Sequence, residues 1–235
     1  MPAPVILVLR LIAIVGIGAA VVGQFVTSYN FWVREGLTDF GFRFTNMFSF
    51  FTMESNISAV VVLSMAVILA ARREQPEWFA ILRAAVATYM VTTGVVYNLL
   101  LRNVELPQGA VLEWSNEVLH VFGPLYMLLD WLFAPGRRRL EFRHIAWIVA
   151  FPIVWATYTL IRGPLTYDVL SDGPWYPYPF LNPANSPNGY LSVAFYVILV
   201  AAVIGLAGAG IIRISRTRIG QGAQAADAPR EPVKA

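Results

Sequence analysis

Phe50-Phe51-Thr52-Met53-Glu54-Ser55-Asn56-Ile57-Ser58-Ala59-Val60-Val61-Val62-Leu63-Ser64-Met65-Ala66-Val67-Ile68-Leu69-Ala70-Ala71 contains one charged residue, Glu54, and becomes almost wholly apolar after Asn56. About 20 mainly apolar residues are enough for a helix to cross a bilayer. This stretch therefore reads as a membrane span. Its polar groups are concentrated at the start: Thr52, Ser55 and Asn56 stand at i, i+3 and i+4, which is one face of a helix.

Five further stretches have the same character. With Phe50–Ala71 they predict six spans, the others being Leu11–Tyr29, Phe79–Leu101, Leu112–Phe133, Ile145–Ile161 and Tyr190–Ile212. The composition agrees: 57% of residues are hydrophobic and only 13% are charged, about half the charged share of an ordinary soluble domain. The expected architecture is all-α, a polytopic integral membrane protein with six transmembrane helices in one bundle over residues 1–219. The tail 220–235, rich in Gly, Ala, Gln and Pro, reads as disordered. The first apolar stretch continues too far past Arg10 for a cleaved signal peptide.

The basic residues set the expected topology. With both termini in the cytoplasm, thirteen of the seventeen Lys and Arg residues fall on the inner side, and only Arg34, Arg43, Arg102 and Arg162 on the outer. That asymmetry matches the positive-inside rule and predicts a multi-pass protein of the cell membrane. The spread of positive charge through loops and tail gives no basic patch, so no nucleic-acid partner is expected. Trp78, Trp131 and Trp147 are expected at the inner boundary, and Trp32 and Trp114 at the outer, as interface aromatics. Asp130 reads as a structural residue paired with Arg137, Arg138 or Arg139, and Glu54 as reaching water.

This topology gathers polar side chains at one depth. Gln24 and Thr27, then Thr52, Ser55 and Asn56, then Tyr97 and Asn98, then Asn116, Glu117 and His120, then Tyr158 and Thr159 all fall at the outer ends of their helices. Lipid cannot satisfy such groups, so they turn toward the bundle interior, and ionisable groups there are functional-site hypotheses by default. Thr52 and His120 have the chemistry of a nucleophile and its general base. Asn116, one turn before His120, Ser55 and Asn56 are supporting candidates. Glu117, Tyr97, Asn98 and Tyr158 are candidate pocket-lining residues. The duller readings are also physical: Thr52 as a helix-start hydroxyl bonding backbone, Asn56 and Asn116 as interhelical hydrogen-bond partners, and His120 as a packing histidine.

There are no cysteines and two histidines, placed at opposite ends of the bundle. No metal site or cofactor is expected on that basis. The loop 162–189 holds Pro164, Pro174, Pro177, Pro179, Pro183 and Pro187 among Trp175, Tyr176, Tyr178 and Phe180. It reads either as a lid over the outer mouth or as an interfacial plug.

At these residues the chain resembles a known group. Phe48-Ser49-Phe50-Phe51-Thr52-Met53-Glu54-Ser55-Asn56, Tyr158-Thr159-Leu160-Ile161-Arg162-Gly163 and Trp175-Tyr176-Pro177-Tyr178-Pro179-Phe180-Leu181-Asn182 look like signatures of the bacterial Pr-six-Pr family of six-span membrane proteins. Asn182 stands where the usual pattern has Asp. That family is similar, more distantly, to the androgen-induced membrane threonine hydrolases, which cleave fatty acid esters of hydroxy fatty acids. The resemblance implies Thr52 as nucleophile, His120 as its partner and Asn116 as the matching Asn. Met53-Glu54 differ from the aromatic and the Asp or Asn that come after the Thr in the eukaryotic proteins. Two function classes stay open: a membrane-embedded lipid ester hydrolase, and a non-enzymatic binding protein or transporter for a lipid or hydrophobic small molecule. Membrane lipids are partners under either, and the oligomeric state is open.

Overall fold

The computed structural model describes residues 3–104, 109–170 and 172–217; the tail read as disordered lies outside them. The described residues are mostly helical. In order come α1 (Ala3–Arg34), α2 (Phe40–Phe48), α3 (Phe51–Ala71), α4 (Glu77–Val96), α5 (Glu113–Glu117), α6 (Gly123–Phe133), α7 (Ile145–Arg162) and α8 (Tyr190–Ser215). A two-residue ribbon, β1 (Tyr167–Asp168) with β2 (Gly173–Pro174), pairs antiparallel inside the long loop.

Among the described residues, five helical segments are long and apolar enough to cross a membrane: Pro4–Arg34, Phe51–Ala71, Glu77–Leu101, Phe142–Leu165 and Tyr190–Ser215. The remaining expected span, 112–133, is also helical from Glu113 to Phe133, but in three pieces. Glu113, Asn116, Glu117, His120 and Asp130 dilute its apolar character.

Helix ends explain where prediction and structure part. α1 runs past the expected Tyr29 because nothing stops it before Gly36. There φ is +68°, and the amides of Gly36 and Leu37 bond back to Val33 and Trp32 at 3.2 and 2.9 Å, the paired bonds of a Schellman stop. α3 ends the same way on a non-glycine residue, Arg73 at φ +58°, with Glu74 bonding back to Leu69 at 2.9 Å.

α4 is the central helix, packed by α3, α6, α7 and α8. Its most apolar stretch is 72% buried, against 22% for those of α1, α7 and α8. Ala80, Ala84, Ala85, Ala87, Thr88 and Thr92 are small and buried, which lets four neighbours approach it. The peripheral helices turn large apolar side chains outward, among them Val15, Ile153, Val154, Phe195 and Leu206. Trp78, Trp147 and Trp114 are exposed, but Trp131 and Trp32 are core residues rather than interface aromatics. The Trp131 indole donates to the Ile211 carbonyl at 3.0 Å, so its polar end is satisfied without water.

Asp130 pairs with Arg10 and Arg83, not with the arginines that come after it in sequence. Arg10 Nε lies 2.8 Å and Arg83 Nη2 2.6 Å from its carboxylate, and all three side chains are buried. Arg137 instead donates to the carbonyls of Trp131 and Leu132, both at 2.9 Å, where α6 ends with unpaired acceptors.

Candidate functional site

Thr52 and His120 meet at the opposite end of the molecule from Asp130. Thr52 Oγ1 lies 3.2 Å from His120 Nε2, and His120 Nδ1 lies 2.9 Å from the Asn116 carbonyl. A carbonyl only accepts, so Nδ1 carries the ring proton and Nε2 presents a lone pair to the Thr52 hydroxyl. That is the tautomer a general base needs. The Tyr97 ring stacks on the imidazole, with centroids 3.9 Å apart and planes 21° apart.

The backbone at the site departs from α geometry on both sides. α4 ends in a π turn, Tyr97–Leu101, and α5 passes into α6 through a second, Val118–Phe122. Pro124 explains what surrounds the second. It has no N–H, so Leu119, whose π-register partner it is, has an orphaned carbonyl. Asn56 Nδ2 fills that role from α3, donating to the Leu119 carbonyl at 3.0 Å and to its own Thr52 carbonyl at 2.9 Å. Asn98 comes within 3.5 Å of the His120 carbonyl and donates to Gly94 at 2.7 Å. Ser55 ties Thr52 to α4, bonding the Thr52 carbonyl at 3.1 Å and Thr93 Oγ1 at 3.0 Å. Single π turns recur at functional sites, and His120 lies within this one.

Gly123 is required at that turn. A Cβ there would stand 2.9 Å from the Val118 carbonyl oxygen, 3.1 Å from Met90 Cε and 3.2 Å from Asn56 Oδ1. Gly123→Ala is expected to cost about 1–3 kcal/mol by overpacking. The thermal midpoint of detergent-purified protein measures it; an unchanged midpoint would mean that the turn relaxes freely.

Asn116 holds the histidine by two routes. Its carbonyl orients the ring, and its side-chain amide donates to the Tyr97 hydroxyl, fixing the stacked aromatic. α5 is itself docked by α1: Ser115 donates to the Ala20 carbonyl at 2.7 Å, and Gln24 contacts Ala110 and Leu112 at 2.9 and 3.1 Å.

The long loop folds over Thr52. Tyr178 is buried, and its hydroxyl accepts from the Thr52 amide at 3.3 Å and lies 3.4 Å from Thr52 Oγ1. Burial pushes the Tyr178 hydroxyl up to about 12, so it stays protonated and can donate. Phe50 packs edge-on against both Trp175 and Tyr178. Asn182 accepts from the Ala184 amide at 3.0 Å and caps a short turn, a task an Asp performs equally well.

Behind Thr52 lies an apolar cavity of about 410 Å³ between α4, α7, α8 and the loop, within the ~300–1,000 Å³ of small-molecule pockets. Thr52, Tyr97 and Tyr178 stand on its wall, with Thr92 and Thr93. The other three candidate pocket-lining residues are not on the wall of this cavity. Tyr158 is turned to Ser49, 2.9 Å from its hydroxyl. Glu117 pairs with Arg102 at 3.1 Å on a half-exposed surface. Asn98 is exposed and holds Arg102 at 2.9 Å. Glu54 is half-buried, and its Oε2 is enclosed rather than in water. Nothing in the sequence singles out Tyr178 as a site residue, because its contact spans 126 residues. No group of three or more His, Asp or Glu among the described residues is arranged to hold a metal ion. No family model, no curated protein and no solved structure matches the chain.

Proposed function

We propose that this chain is a six-span protein of the cell membrane, with both termini cytoplasmic, that hydrolyses lipid esters using Thr52 as nucleophile and His120 as general base and acid. The segment 113–133 is the sixth span in this reading. The observation that carries the proposal is the Thr52 Oγ1–His120 Nε2 contact of 3.2 Å, with the imidazole tautomer set by Asn116 and with Thr52 itself on the wall of an apolar cavity. The sequence resemblance to membrane threonine hydrolases points the same way.

The steps follow from the atoms present. The ester carbonyl carbon comes to Thr52 Oγ1, with the acyl chain in the cavity. As Oγ1 attacks, its proton passes to His120 Nε2. The carbonyl oxygen becomes an oxyanion, to which the Tyr178 hydroxyl donates. On collapse, His120 returns the proton to the departing alkoxide oxygen, which leaves an acyl-threonine. Water then attacks the acyl carbon while His120 takes its proton, and Thr52 Oγ1 recovers that proton as the fatty acid leaves.

The test is labelling of detergent-purified protein by a fluorophosphonate probe, alongside turnover of lipid esters. Labelling that disappears in Thr52→Ala supports the reading. A wild type that takes no probe and turns over no ester overturns it and leaves a binding protein with the same cavity. Tyr178→Phe keeps the ring packing and removes one donor, so kcat is expected to fall roughly 10²-fold with little change in KM. Unchanged kcat in that variant removes Tyr178 from the chemistry.

A further inference from the structure

Beside the loop, away from Thr52, lies a group of buried donors short of acceptors. α2 carries Arg43 and Asn46 at i and i+3, only 4% and 5% exposed. Arg162, the last residue of α7, donates from Nη2 to Asn46 Oδ1 at 2.6 Å. A guanidinium only donates, so the amide oxygen must face it, which leaves the Asn46 NH₂ pointing elsewhere. Both guanidinium groups lie on one ring: Arg43 is 5.4 Å and Arg162 5.6 Å from the Phe42 centroid, and Arg162 is also 5.0 Å from that of Trp175.

Three nitrogens here are buried without a hydrogen-bond partner: Arg43 Nη2, Asn46 Nδ2 and Arg162 Nη1. Thr159 Oγ1, three residues before Arg162, is a fourth such atom. Arg43 is otherwise answered by Asp39 at 3.0 Å and Asp168 at 2.7 Å. Among the described residues no carboxylate stands within ion-pair distance of Arg162.

Enclosed N–H groups without acceptors are unfavourable, and native structures rarely collect them. What three such donors lack is a group that only accepts. A carboxylate or phosphate fits, and it suits the planar fork of arginine above all. We propose that Arg43, Asn46 and Arg162 form a binding site for an oxyanion of the carboxylate or phosphate type. Trp175 links this site to the Thr52 cover, since it caps Arg162 and packs on Phe50, which packs on Tyr178. The site rests on its own donors and holds whether or not Thr52 is a nucleophile.

The experiment tracks the thermal midpoint of full-length, detergent-purified protein during titration with inorganic phosphate, laurate, dodecyl phosphate and, as a neutral control, dodecanol. Wild type is expected to show a saturable rise with an anion and none with dodecanol. A rise with phosphate alone identifies a free-anion site; a rise only with laurate or dodecyl phosphate identifies the head of an amphiphile. Arg162→Gln removes the charge and shortens the side chain, and its affinity should fall about tenfold or more. Asn46→Asp places a carboxylate among the donors, so it should raise the midpoint without ligand and abolish the anion response. No response of wild type to any anion, or equal responses in wild type, Arg162→Gln and Asn46→Asp, overturns the proposal and assigns the orphaned donors to water.

Discussion

Under the proposed threonine mechanism, His120→Ala is expected to slow lipid ester hydrolysis by about 10²–10⁴-fold, the usual contribution of a positioned general base. Thr52→Val, which keeps the side chain's shape but removes its hydroxyl, is expected to abolish both turnover and covalent labelling. The reason lies in how few groups act on Oγ1. Its neighbours are His120 Nε2 at 3.2 Å and the Tyr178 hydroxyl at 3.4 Å, and only the imidazole can take a proton. Thr52→Ser keeps the reacting oxygen and loses a methyl group, so it should retain activity far above that of Thr52→Val. Asn116→Ala separates orientation from chemistry. The backbone carbonyl still holds Nδ1, while the amide that secures Tyr97 is gone, so a milder loss is expected. Steady-state rates on one lipid ester, with thermal midpoints as a control for folding, measure all four. A Thr52→Val protein that still hydrolyses at the wild-type rate would end the threonine reading.

Asp130→Ala should be the most damaging change to stability. It would leave Arg10 and Arg83, 4% and 2% exposed, without the carboxylate they share. Breaking a buried ion pair by removing one partner costs about 3–5 kcal/mol, which for a chain of this size lowers the thermal midpoint by roughly 6–20 °C. The Asp130 site joins three helices: Arg10 comes from α1, Arg83 from α4 and Asp130 from α6. Arg83 further donates to the backbone carbonyls of Pro135 at 2.9 Å and Asp130 at 2.7 Å, contacts that the substitution leaves in place. Replacing all three with Met, Met and Leu should restore much of the midpoint, because apolar side chains of similar volume leave no buried charge unpaired. A single Asp130→Ala whose midpoint matches wild type would show that water reaches this cluster.

The two predictions draw on residues that are unequally legible in the sequence. Thr52 and His120 stand out because polar side chains in apolar sequence have few places to go. Their distance cannot be read there, since 68 residues separate them. Asp130 reads as structural, yet the arginines nearest to it along the chain are the wrong partners. Arg137 is drawn to the open carbonyls of Trp131 and Leu132, while Arg83 faces Asp130 across two packed helices. Tyr178 carries no signal beyond its place in an aromatic, proline-rich loop. Trp131 and Trp32 look like interface residues by position, but a backbone carbonyl for the one and edge-to-face packing on Phe44 for the other keep them in the core.

The sequence by itself determined the helical class and the approximate extent of each long apolar helix. Both depend on local properties: runs of apolar side chains, and residues such as Gly36 and Pro124 that end or distort a turn. Pro124 even marks, within its own helix, where carbonyls must seek other donors. Only the tertiary structure decided that Asn56 answers Leu119, that Asn116 fixes the imidazole through its carbonyl, and that Tyr178 closes over Thr52. The interactions that make a site here are short-range hydrogen bonds between residues far apart in sequence. Their partners are set by how helices pack around α4, and no local pattern of residues encodes that packing.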